Sequence, residues 1–233
     1  MSVRATPMAT EEGRLQLLRA GVHAELLTGG WVLVEAGVAF AAGVASRSAL
    51  LVAFGLDSII ELLSGVVVLW RLSVEASGQP RERVERAERV AAWTAGVALI
   101  LLSFYIVMSA GRGLIVRAQP EASPAGIGLA AAALVVMPLL ARAKRRIAGD
   151  LEAASLRGDA ACSTSCAAMA GAMLAGLVLN AALRWWWAEY LALLTFLYWL
   201  LPEAWATLRS ASAGDPAPGC ARPSCGARCA DPE

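Results

Sequence analysis

The sequence predicts an all-α polytopic membrane protein with six transmembrane helices and both termini in the cytoplasm. Three observations carry that expectation. The first is composition: 58% of the 233 residues are hydrophobic and 17% charged, with a mean hydropathy of +0.59. A soluble domain holds about 45–50% apolar and about 25% charged residues, so this chain is too apolar for water. The second is the presence of six apolar runs, each near the roughly 20 residues that a helix needs to cross ~30 Å of hydrocarbon. The third is an asymmetry in where the arginines fall.

Residues 10–21 read TEEGRLQLLRAG, in which Thr10 stands before Glu11 and Glu12, the pattern of a helix start. Leu15, Leu17 and Leu18 place an apolar stripe on this segment, which is expected to lie on the membrane surface and run into the first span. No apolar core with a small-residue cleavage site occurs here, so no cleaved signal peptide is expected. The spans follow at Leu26–Val44, Ser48–Leu72, Ala92–Gly111, Pro124–Ala141, Asp159–Leu183 and Trp186–Leu208. Most of them are Ala, Leu, Val and Gly, which let helices pack closely in lipid. Pro202 is expected to break the last helix.

The end of the second span and the loop after it carry Arg71, Arg81, Arg83, Arg86 and Arg89. The loop after the fourth carries Arg142, Lys144, Arg145, Arg146 and Arg157. The opposite loops hold only Arg47, Arg112, Arg117 and Arg184. Positive charge stays on the cytoplasmic side, which sets the orientation. Trp185, Trp186 and Trp187 then start the last span at the outer interface, where indole rings prefer to sit. All basic residues but Lys144 are arginine, and with the abundant alanine this points to a GC-rich bacterial genome and a plasma (inner) membrane location. A net charge of +1 gives no basic field for nucleic acid.

Two spans hold pairs of groups that lipid disfavours. In the second, Asp57 and Glu61 are four residues apart, so both carboxylates face one way. A charge at the bilayer centre costs at least ~2.5–3.5 kcal/mol, and two together repel. Such a pair needs a cation, a shared proton or a wet cavity; the bland reading is a carboxyl pair that glues helices. In the fifth, DAACSTSC places Cys162 and Cys166 at the same spacing on a helix of opposite direction. Two cysteines alone could be small packing residues. Facing the second helix, they complete an O, O, S, S set that suits zinc, with thiolates drawing in softer ions such as cadmium. Antiparallel packing would pair Glu61 with Cys162 and Asp57 with Cys166. At ~1.5 Å per residue Glu61 lies about 15 Å inside its span and Cys162 only about 6 Å, a gap that a fifth helix starting near Ala154 would close.

These stretches resemble the transmembrane domain of the cation diffusion facilitator (cation efflux) family. SALLVAFGLDSIIE is similar to the family's second-helix signature, with Asp57 and Glu61 on its ligand positions. LRGDAACSTSC is similar to the fifth-helix signature, with Cys162 where His is usual and Cys166 where Asp is usual. WWWAEYLALL resembles the start of the sixth helix, with Glu189 and Tyr190 in place of Asp-Pro. The resemblance covers roughly Leu26–Leu208 and implies a six-helix exchanger of divalent metal for protons. About 25 residues follow the last span, so no counterpart of the family's cytoplasmic metal-binding domain is expected; the chain resembles a short form. A homodimer is a partner state the family allows, without that domain to support it.

The chain thus divides into a cytoplasmic segment (1–21), a six-helix cation-transport domain (22–209) and a Cys-containing tail (210–233) rich in Pro, Gly, Ala and Ser, expected to be disordered. Glu35, mid-way along the first span, is a candidate for the proton or ion pathway, or for a helix–helix hydrogen bond. Asp159 is expected at the cytoplasmic mouth, attracting cations or capping the fifth helix. Asn180 reads as polar glue and His23 as structural. Cys220, Cys225 and Cys229 lack the CxxC pairs of a closed zinc module and suggest an accessory trap for soft metals. The expected function is export of a zinc- or cadmium-type ion driven by protons, with metal ions, protons and the bilayer as partners. No enzymatic role and no cofactor are expected, the metal being cargo. The rivals are a metal-binding sensor or accessory protein without transport, a membrane thiol-redox protein that joins Cys162 to Cys166, and a plain scaffold.

Overall fold

The computed structural model describes residues 11–77, 81–151 and 154–213, and every described element is an α-helix. The tail cysteines and the expected disorder beyond residue 213 lie outside the described residues. The helices are α1 (Glu11–Ala45), α2 (Ala49–Ser77), α3 (Arg81–Val116), α4 (Pro124–Leu151), α5 (Ala154–Leu183) and α6 (Trp186–Ala213). All six contain a stretch long and apolar enough to cross a membrane.

Each helix outruns its expected span. The arginine-rich stretches read as loops after the second and fourth spans are largely helix, because Arg, Glu and Ala sustain helix as well as Leu does once the chain leaves the apolar layer. The surface segment and first span form one 35-residue helix beginning at Glu11. Its Leu18 packs with Val68 and Ala148, so this residue joins the bundle instead of resting on lipid. The expected break at Pro202 is also corrected: α6 continues through it to Ala213, as α4 does through Pro138. Neighbouring helices and local adjustments compensate for the missing N–H in transmembrane helices.

The most extensive contacts are α1 with α2, α4 with α5 and α3 with α6, while α2 also meets α5 and α6. Small residues let the backbones approach. A Cβ added at Gly55 would sit 3.1 Å from the Phe40 nitrogen and 3.3 Å from the Ala36 oxygen, so α1 and α2 touch there almost backbone to backbone. Gly113 of α3 lies under the Tyr190 ring of α6, where an added Cβ would overlap it. Gly113→Val should therefore displace Tyr190 and cost about 1–3 kcal/mol, visible as a lower unfolding temperature in detergent. Phe54, Phe196, Met137, Met169 and Met173 fill the centre, whereas Leu33, Leu101, Phe104, Ile115 and Tyr198 point outward. In water such an outer face would be a liability; in lipid it is the solvated face.

One end of the bundle carries the tight connections. α1 closes with Ser48 N donating to Gly43 O at 2.9 Å and Arg47 N to Val44 O at 3.3 Å, around Arg47 at φ 54°. This is the Schellman arrangement with arginine where glycine is usual. α3 ends similarly, with Ala118 N bonded to Gly113 O at 2.9 Å and Arg117 at φ 51°. The same end is stitched by Glu121 N to Ser46 O at 2.9 Å. The arginine-rich segments occupy the opposite end.

Candidate metal-transport site

Helix periodicity puts Asp57 and Glu61 on one face of α2, and Cys162 and Cys166 on one face of α5. Asp57 is 7% exposed and Cys166 2%. α5 starts at Ala154, more than a turn before the expected span. Ser163 Oγ donates to Glu61 Oε1 at 3.3 Å. Glu61 also lies beside the Cys166 thiol.

The expected pairing is redistributed, since α1 and α6 enter the same interior. Cys166 Sγ donates to Glu35 Oε1 at 3.7 Å. Cys162 Sγ lies 3.3 Å from Glu203 Oε1, on α6. Asp57 is close enough to Glu203, Glu61 and Glu35 for the charges to interact. Glu35 is fully buried. Ser58 Oγ, which donates to Phe54 O at 3.0 Å, is 3.5 Å from Glu35 Oε1. The Trp31 indole, one turn away on α1, lies beside the Glu35 carboxylate. Among the described residues no three of His, Cys, Asp and Glu are drawn together tightly enough to hold an ion as they stand. Cys162 is engaged in a disulfide and Cys166 is a free thiol, so the two are not joined to each other.

Toward the arginine-rich end lies a second charged cluster. Lys144, counted from sequence among the loop cations, is 1% exposed on α4. Its Nζ pairs with Glu25 Oε2 at 3.2 Å and with Asp159. Asp159 is thus not the cap of α5: it stands inside that helix, 3% exposed, holding the lysine. A cavity of about 30 Å³ beside the cluster is lined by Glu25, Thr28, Glu61, Lys144 and Asp159 together with apolar residues. Glu61 therefore belongs to both chambers.

A third network closes the tight-turn end. Glu189, 1% exposed, accepts from Ser48 Oγ at 2.5 Å and from Asn180 Nδ2 at 2.6 Å. Asn180 also donates to Pro120 O at 3.1 Å, and Tyr190 to Ala118 O at 3.1 Å. These bonds tie α6 to all three turns, and Asn180 is glue as expected. His23 is equally local, its Nδ1 2.7 Å from Arg19 O.

Sequence reasoning missed Glu25, Glu203 and the burial of Lys144. Glu203 lay inside an expected span and was open to the test applied to Glu35. Glu25 and Lys144 lay one and three residues outside theirs.

The cation efflux transmembrane domain, as a protein family, matches residues 31–213. That stretch contains Glu35, Asp57, Glu61, Cys162, Cys166 and Glu203. No curated protein matches the chain closely.

Proposed function

Since the chain belongs to the cation efflux family and is a cation transporter of that kind, we propose that its cargo is a zinc- or cadmium-type divalent ion, exported from the cytoplasm in exchange for protons. The observation that carries this reading is the convergence of α2 and α5. That packing sets Cys166 beside Glu61 and the buried Glu35, and Asp57 near Glu61 and Glu203, with half-buried Cys162 beside Glu203. Asp57, Glu61 and the two thiolates are the ligands. In a reducing cytoplasm Cys162 is released as a thiol, and binding then displaces thiol protons. Carboxylates that crowd one another when empty require either metal or protons. That requirement couples the two: metal enters as protons leave, and protons entering from outside expel the metal.

The orientation follows the arginines, with the tight-turn end outside, both termini cytoplasmic and the chain in the plasma (inner) membrane. Tail residues Cys220, Cys225 and Cys229 would gather soft ions on the cytoplasmic side. Reporter fusions after Arg89 and Arg146 should read cytoplasmic and one after Arg117 external; a cytoplasmic reading at Arg117 would overturn the orientation. The function is tested in proteoliposomes kept reduced, loaded with zinc, cadmium or cobalt under an imposed pH gradient. Metal flux that collapses with the gradient, and proton flux that appears only with metal, are expected. Saturable metal binding without either flux would instead make the protein a sensor.

A further inference from the structure

The chain has five cysteines, and those within the described residues are Cys162 and Cys166. They stand one turn apart on α5 yet differ in state: Cys166 is a free thiol, whereas Cys162 is disulfide-bonded. With Cys166 excluded, the thiols left to partner Cys162 within one chain are Cys220, Cys225 and Cys229. The transport reading above has no use for this bond, because it needs Cys162 as a ligand. Chain length allows the bond. Glu203 Oε1 lies 3.3 Å from Cys162 Sγ, and α6 runs on from Glu203 to Ala213. That stretch rises about 15 Å. The seven residues from Ala213 to Cys220 span up to about 23 Å when extended, so the first tail thiol already reaches back. Exposure accounts for the choice of thiol on α5. Cys162 is half-buried and Cys166 only 2% exposed, and thiol–disulfide exchange requires access.

We propose that Cys162 is a redox site: oxidation joins it to a cysteine of the 214–233 segment and takes a ligand away from the metal. The oxidant is a low-molecular-weight disulfide such as glutathione disulfide. A tail thiolate attacks it, expelling one small thiol and leaving a mixed disulfide on the tail. The Cys162 thiolate then attacks the tail sulfur of that mixed disulfide and expels the second small thiol. Two protein thiols thereby give up two electrons and two protons, which the small disulfide carries off as two thiols. Where disulfides do form in a cytoplasm they are usually transient and redox-sensing, which suits the side proposed for the tail. One sulfur cannot hold both the metal and the tail. The two states therefore exclude each other, and linkage makes the effect reciprocal. A bound ion shields Cys162 from oxidation, and oxidation weakens binding of the ion. The remaining Asp57, Glu61 and Cys166 form a harder donor set, so soft ions are lost first. The inference rests on the proposed function in taking Cys162 as a metal ligand.

Disulfide mapping on the full-length protein tests the bond without any transport assay. Protein in detergent is incubated with glutathione disulfide, its free thiols are alkylated after denaturation, and its peptides are identified by mass spectrometry. A peptide pair joining Cys162 to Cys220, Cys225 or Cys229 is expected, with Cys166 alkylated. A Cys162–Cys166 pair, a pair joining two copies, or Cys162 left unpaired would overturn the proposal. Cadmium added beforehand should slow formation of the pair at least ~10-fold, within the usual range of coupling between two sites. Asp57→Asn keeps every thiol and should weaken that protection; equal protection would assign the shielding to the tail and refute the link to the metal site. In proteoliposomes, glutathione disulfide should lower cadmium flux at least ~10-fold and dithiothreitol should restore it. In Cys220→Ser/Cys225→Ser/Cys229→Ser protein the ratio of oxidised to reduced flux should return to near unity. An equal loss in both proteins would refute control by the tail. If the bond forms but the reduced protein carries no metal, the exchanger reading fails and the redox site stands.

Discussion

In proteoliposomes, Asp57→Asn and Glu61→Gln should each lower metal transport by at least ~100-fold, more than the 10–100-fold typical of losing a group that merely supports a ligand. The same substitutions should leave the metal-free protein as stable as the wild type, or more so. Asp57 is buried near Glu61, Glu35 and Glu203, and the Ser163 hydroxyl that donates to Glu61 can donate equally to an amide oxygen. Converting one carboxylate to an amide keeps the shape and removes a charge that costs at least ~2.5 kcal/mol at the bilayer centre by membrane-insertion scales. Thermal unfolding with and without cadmium separates the effects: wild type should gain stability from the ion and the variants should not. The glue reading of the pair requires the reverse, namely lost stability and retained transport. Glu189→Gln is the matched control. It lies in a network that only holds turns together, so it should disturb folding while leaving metal preference unchanged.

What the sequence disclosed and what it hid divide along physical lines. Apolar runs of the right length identify six helices because lipid imposes one backbone solution. The i, i+4 spacing placed Asp57 with Glu61 and Cys162 with Cys166, because a single helix fixes those relations. It could not say which neighbour each side chain would meet, since that depends on how helices are rotated about their axes. Cys162 consequently faces Glu203 of α6, and Cys166 shares Glu35 of α1 as well as Glu61. Hydropathy also ends a span where polar residues begin, whereas the helix itself continues. That is why Lys144 read as a loop cation although the extended α4 buries it against Glu25 and Asp159. Pro202 misled for a related reason: proline is a breaker in water, but within a bundle its neighbours hold α6 together.

Exchanging both thiols for the ligands commoner in the family, Cys162→His with Cys166→Asp, should invert the metal preference. Thiolate favours soft ions, while imidazole and carboxylate suit zinc and harder divalents, so the cadmium-to-zinc transport ratio should fall by at least ~10-fold. The position of each residue sharpens the expectation. At 162 an imidazole would stand beside Glu203, able to donate one ring N–H to the carboxylate and present the other nitrogen to metal, the arrangement that orients ligating histidines. At 166 a third carboxylate would join Glu35 and Glu61, raising the negative charge that only metal or protons can offset. Reference pKa values of ~8.5 for Cys, ~6.5 for His and ~3.9 for Asp mean that the new ligands shed protons more readily. Protons then compete with metal only at lower pH, and the cytoplasmic-side pH for half-maximal uptake should move down. Side-by-side cadmium and zinc transport across a pH series, wild type against double variant, measures both shifts at once. An unchanged ratio would mean that the two cysteines only pack against their neighbours, and the cargo would have to be held by the carboxylates of α1, α2 and α6 alone.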